Sequence, residues 1–165
     1  MTNIELHRIR RCPDTIDGQI RIDGQKVCDC AENAHHCLPP GTYPLTIVPC
    51  RQHARKMPII SVSVSSIAAS NSPSPSPSLC SSCHRRPRIG INTPMPRKCV
   101  QLCPGNGVFN RTDGAILVGE HLVPGCLKHP KTTFANLYDR LRKSAERGHP
   151  ITLTIRFILS LFFFI

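Results

Sequence analysis

VQLCPGNGVFNRTDGAILVG, residues 100–119, carries the densest local instructions in the chain, and the fold is read outward from it. Pro104, Gly105, Asn106 and Gly107 form one turn cluster, and Asn110 to Gly114 form a second. Ala115 to Val118 follow as an apolar run of strand length. The pattern predicts loop, turn and buried strand. Asp113-Gly114 stands directly before the strand, where glycine allows positive φ and delivers the next residue from a tight turn onto a rigid edge. That residue is Ala115, which has no reactive group.

Toward the C-terminus, the segment from His121 to Cys126 reads as another turn, and Pro130 is placed to open a helix. Phe134, Leu137, Tyr138, Leu141 and Ala145 recur at three- and four-residue steps, with Asp139, Arg140, Arg142, Lys143, Glu146 and Arg147 on the other face. This predicts one long helix near 132–147, stopped by Gly148. Ile151, Leu153 and Ile155 alternate as a final strand. The tail FILSLFFFI is nine apolar residues, whereas a membrane span needs about twenty. It is expected to lie outside the domain as a sticky appendage, compatible with weak membrane association but not with a span.

Toward the N-terminus, Ile4 and Leu6 alternate, and the pattern resumes at Ile20 and Ile22 before Asp23-Gly24 and Val27, predicting strands joined by a hairpin. Cys28, Cys30, His35, His36 and Cys37 crowd the next ten residues with soft-metal ligand types, at a spacing that matches no closed site. Pro40, Gly41, Thr42 and Tyr43 lead into Leu45, Ile47 and Val48, a turn feeding a strand. The basic segment 50–58 reads as the loop that closes it. Residues 61–78, SVSVSSIAASNSPSPSPS, are low in complexity and charge, and about 65–78 is expected to be a flexible insertion.

Residues in this order resemble a bacterial and prophage family, domain-of-unknown-function family 5675, itself similar to L,D-transpeptidase catalytic domains. Gly105-Asn106, Thr112-Asp113-Gly114 and Ile116-Leu117-Val118-Gly119 stand where the family has its His-Xaa-Gly-Asn turn, its Asp-Thr/Ser pair and its Gly-Cys-Ile-Leu-Val-Gly run. The Pro40 to Tyr43 element resembles the turn ahead of a strand in L,D-transpeptidases. The resemblance implies relatedness from Ile4 to about Ile155 and a ligand-binding groove at Gly105, Asn106, Thr112, Asp113 and Gly114. It places Cys103 where the family has its histidine and Ala115 where it has its cysteine, with one extra residue between. Thiolate attack on a peptidoglycan acyl group needs both side chains. The family positions Cys103 and Ala115 are therefore degenerate, no catalytic residue is expected, and the domain is read as a binding or interaction module.

Composition bounds the rest. At 165 residues the chain suits one domain, about 1–155, with 156–165 beyond it. Sixteen prolines and ten glycines against six Phe, two Tyr and no Trp favour a turn-rich fold over a helical bundle. The expected class is α+β and mainly β: a small sheet or barrel-like sandwich of short strands with one long helix near the C-terminus. A net charge of +11 suggests nonspecific contact with anionic polymers through basic surface such as the segment from His7 to Arg11. The scarcity of aromatics disfavours dedicated nucleic-acid binding, which stays as an alternative beside a cysteine enzyme with a rearranged site, Cys103 using His121 as base. A peptide, glycan or cell-wall fragment is the partner the resemblance suggests.

Ten cysteines in a chain whose first residues, MTNIELHRIRRCPD, hold no apolar signal core point to a cytoplasmic setting with reduced thiols. Cys80, Cys83, Cys99 and Cys103 have the spacing C-x2-C-x15-C-x3-C, close to a zinc ribbon. Structural zinc there is the one cofactor expectation, set against the simpler reading of unligated thiols and no cofactor.

Overall fold

Ile4 and Leu6 begin an inward-facing row that continues around a closed wall of strands. In the computed structural model, which describes residues 1–50, 55–62, 99–109 and 113–158, the chain runs β1 (Thr2–Arg11), β2 (Thr15–Ile22), β3 (Gln25–Asn33), β4 (Gly41–Cys50), β5 (Arg55–Ser61), β6 (Cys99–Pro104), β7 (Ile116–Val123), β8 (Cys126–Lys128), α1 (Pro130–Glu146) and β9 (Ile151–Phe157). The insertion expected at 65–78, Cys80, Cys83, the Cys99 side chain, Thr112 and residues 159–165 lie outside the described residues.

The strand order is β3-β2-β1-β9-β4-β5-β6-β7-β8, and β3 also pairs with β7, so eight strands close into a barrel and β8 extends from β7. The fold is mainly β with one helix near the C-terminus, as the alternation and the single helical period predict. Among the described residues, parallel pairs occur twice, β1 with β9 and β6 with β7. Register makes the inner rows explicit: Leu6 stands beside Ile20 on one side and Ile155 on the other, and Ile20 in turn faces Cys28. One row higher, Ile4 lies between Ile22 and Leu153. Successive side chains alternate across a strand, so these aliphatic rows fill the interior while the intervening residues face outward.

The helix α1 packs mainly against β7 and β6, with Phe134, Leu137 and Leu141 buried. Pro130 opens the helix because its missing N–H costs nothing in the first turn. Gly148, at φ +72°, turns the chain away at the other end. Asp23 and Gly24, both at positive φ, make the tight turn between β2 and β3. Among the described residues, no helix is long and apolar enough to cross a membrane.

Four expectations are corrected. Residues 55–58 are not loop but the start of β5, with Met57 fully buried; Pro58 is accommodated because the β5–β6 pairing covers only Ile59 to Ser61. His121 to Val123 are strand, so β7 and β8 form a hairpin turning at Pro124-Gly125. The last strand takes in Arg156 and Phe157, because β1 continues past Leu6 and offers His7 and Arg8 as parallel partners, so these two residues are wall rather than tail. Arg8, read as solvated basic surface, is buried inside the barrel with Glu32.

Arg8 and Arg10 part company through one inserted residue. The pairs Arg8 with Gly18 and Arg10 with Asp17 leave Ile9 unmatched, a bulge that re-aims the end of β1. Arg8 keeps the inner row of Ile4 and Leu6. Arg10 instead reaches Asp17 on the outer face, next to the β7–β8 hairpin.

Candidate functional site at the β7–β8 hairpin

The central motif folds into neighbouring parallel strands. Leu102 pairs with Ile116, Cys103 with Leu117 and Pro104 with Val118. A Cβ at Gly105 would come within 2.8 Å of a Leu117 methyl, so any larger residue would force Leu117 to shift. Asn106 then clamps β8 twice: its carbonyl accepts from the Leu127 amide at 2.7 Å, and its side-chain amide donates to the Leu127 carbonyl at 3.1 Å. Val108 donates its amide to the Gly125 carbonyl at 3.2 Å, while its own carbonyl accepts from the Asn33 side chain at 3.3 Å. Asp113 accepts from the Ala115 amide at 3.1 Å across Gly114, which has φ +71° as the Asp-Gly turn requires.

Cys103 and Ala115 are 1% and 2% exposed. Cys103 pairs with Leu117 and shares its face of the sheet, and Ala115 directly precedes β7. His121, the base a rearranged cysteine site would need, is four residues beyond Leu117. At about 3.3 Å per residue that is roughly 13 Å from the Cys103 level, well outside hydrogen-bond reach. The structure does not bring these two residues together.

Most of the metal candidates of the zinc-spaced set lie outside the described residues. Cys103 is the one of the four zinc-spaced cysteines with a described side chain, and among the described residues no group of three or more His, Cys, Asp or Glu could hold a metal ion. In the segment from Cys28 to Cys37, Cys28 and Cys30 point into the barrel. Burial, reinforced by Asp29, pushes the Cys28 thiol up to about 12, and burial with the charge of Glu32 pushes Cys30 well above its ordinary value. Thiols held neutral are poor ligands and poor nucleophiles. His35 turns outward to Asp14 at 2.9 Å, and the Cys37 thiol lies 3.7 Å from the Ala34 carbonyl.

What the fold does assemble is a charged cluster under the hairpin. Arg10 donates from Nε and Nη2 to Asp17 Oδ2 at 3.1 and 2.8 Å, and Asp17 Oδ1 accepts the Gly125 amide at 2.9 Å. Arg10 Nη2 also lies 2.7 Å from His121 Nε2. A guanidinium has only donors, so in this contact Nε2 is the acceptor, and the same nitrogen lies 3.7 Å from Asp17 Oδ2. The His121 amide donates to Asp29 Oδ2 at 3.1 Å, and Lys26 holds Oδ1 at 2.7 Å. Around this cluster Phe109, Leu122 and Val123 are half exposed or more. The arrangement offers apolar side chains beside a guanidinium and an imidazole.

Sequence reasoning named His121 only as a base for Cys103 and missed Asp17 and Arg10. The lone signal was His121 inside a turn-like segment. Asp17 and Arg10 gave none, because their meeting depends on the bulge. The chain matches no family model, no curated protein and no solved structure.

Proposed function

We propose that this chain is a catalytically silent L,D-transpeptidase-like domain that binds a ligand rather than transforming it. The observation that carries this reading is the state of the two degenerate positions: Cys103 and Ala115 are both buried, which holds the Cys103 thiol away from solvent, and Ala115 has no reactive atom. Binding is assigned to the hairpin surface. Phe109, Leu122 and Val123 offer apolar area, and Arg10 with His121 offers donors for a carboxylate, chemistry suited to a short acidic peptide or a peptide-bearing cell-wall fragment. The reading calls for no cofactor and goes with a cytoplasmic setting in which the thiols stay reduced.

The test is a titration of the full chain with a peptidoglycan stem tetrapeptide, followed by amide chemical shifts and intact mass. Saturable shifts at 106–109 and 119–127, weakened by Leu122→Ser and without added mass, are expected. A covalent adduct would replace this reading with a cysteine enzyme, and absence of any saturable shift would end it.

A further inference from the structure

Where β1 and β9 end side by side, three large apolar side chains stand in solvent. Ile9, Phe157 and Ile158 are between 40% and 45% exposed. Arg8 pairs with Phe157, and the Ile158 amide donates to the Arg8 carbonyl at 3.0 Å, so the three share one tip of the barrel. Their exposure has local causes. Ile9 is the bulged residue with no partner in β2, and Phe157 lies over the Arg8 guanidinium at 5.2 Å, at the edge of the interior. The chain leaves the described residues here and continues as Leu-Ser-Leu-Phe-Phe-Phe-Ile without a charge.

Cations border the same tip. Arg10, Arg11 and Arg156 are exposed; Arg10 and Arg156 have Asp17 and Glu5 as partners, and Arg11 makes no ion pair among the described residues. An apolar tip with a cationic border, on a chain of charge +11, is unsuited to pairing with a second copy of itself, which would carry like charge. It is suited to an anionic bilayer, where an apolar signal and a basic signal must act together to give stable binding. We propose that this end of the barrel docks on an anionic lipid surface, with Ile9, Phe157 and Ile158 entering the boundary between headgroups and acyl chains and Arg11 meeting lipid phosphates. Arg10 is common to the border of this tip and to the hairpin cluster, but the proposal rests on Ile9, Phe157, Ile158 and Arg11 and does not require that the hairpin bind a peptide.

Co-sedimentation with vesicles tests it, using phosphatidylcholine alone and phosphatidylcholine mixed with phosphatidylglycerol. The full chain is expected to bind the mixed vesicles at least about tenfold better than the neutral ones, and less at about 0.5 M salt, where charge is screened within a few ångströms. Ile9→Glu with Ile158→Glu, and separately Arg11→Glu, should each lower binding at least about fivefold. Far-UV circular dichroism should stay unchanged, since these side chains are exposed. A chain ending at Ile158 should retain more binding than the double glutamate variant. Equal binding to both vesicle types, or none, overturns the proposal. So does binding lost only when 159–165 are removed, and so does a dimer that the double glutamate variant dissolves in the absence of vesicle binding.

Discussion

Arg8 and Glu32 meet inside the barrel with both side chains 1% exposed, joined by hydrogen bonds of 2.8 Å from Nε to Oε2 and from Nη2 to Oε1. The same Nη2 donates to the Leu38 carbonyl at 2.6 Å, tying the chain just before β4 to the pair. Gly18 of β2 lies between the two strands. A Cβ there would come within 2.7 Å of the His7 carbonyl and 3.1 Å of the Cys30 sulfur, so the crossing depends on glycine. Burial by itself disfavours the Arg8 cation, and the hydrogen bonds and charge of Glu32 outweigh it, holding the guanidinium above its usual pKa.

Removing one member of this pair leaves the other charge buried alone. Arg8→Met is therefore expected to destabilise the fold by about 3–5 kcal/mol, read as a lower urea midpoint. Arg8→Met with Glu32→Leu should recover most of that loss. A double variant as unstable as the sum of its single changes would contradict this account.

Alkaline stability follows from the interior thiols. Cys28 and Cys30 keep their protons in the folded chain at pH values where an unfolded cysteine, with a pKa of about 8.5, releases them. The folded state then binds more protons, so stability falls as pH rises above about 8.5 toward 12. The slope is about 1.4 kcal/mol per pH unit for each thiol. Urea midpoints measured from pH 8 to 10.5 should decline, and Cys28→Ala should flatten the decline. An unchanged slope in that variant would remove Cys28 from the explanation.

Gly125 combines two constraints. Its φ is +74°, and a Cβ would lie 2.4 Å from Thr15 Cγ2. Gly125→Ala is expected to cost about 3 kcal/mol through strain and overpacking together. Gly24→Ala, at φ +83° with nothing nearby, should cost only about 1 kcal/mol. Thr15→Ala in the Gly125→Ala background should return the steric part, measurable by thermal unfolding of the three variants.

Thiol labelling should separate the cysteines by depth. Cys12, Cys37 and Cys126 are partly exposed and should react with iodoacetamide in the native protein, while Cys28, Cys30 and Cys103 should react only after denaturation. In the same assay a carbapenem should add no mass. An adduct mapped to Cys103 and lost in Cys103→Ser would show a reactive thiol where the fold places a packed one.

The hairpin at Asp23-Gly24, the strand entering at Gly41 and the helix opened by Pro130 were legible because each is written in local turn chemistry or in a single period. Barrel closure was not. Alternation says that Ala31 and Leu117 belong to half-buried strands but not that they face each other across the β3–β7 seam. Nor does it show Leu6 beside Ile155 in parallel. Arg8 and Arg10 illustrate the limit for the site: two residues apart, they should share a face, and one unmatched Ile9 separates them. Gly105 and Asn106 stood out as turn residues, yet nothing local indicated that Asn106 would spend its hydrogen bonds on Leu127.

The place of β9 has a consequence for how the chain comes into being. β9 lies between β1 and β4, so until Ile151–Phe157 has been synthesised these two strands lack their common neighbour and are linked only the long way round, through the β3–β7 seam. Through most of translation the edges of β1 and β4 stand open, presenting unpaired amides and carbonyls beside aliphatic rows. Such distant pairing slows folding and leaves the nascent chain exposed to wrong partners. A ribosome that stalls after α1 would therefore release not a slightly shortened barrel but an open sheet with two competing edges, a substrate for chaperones and proteases.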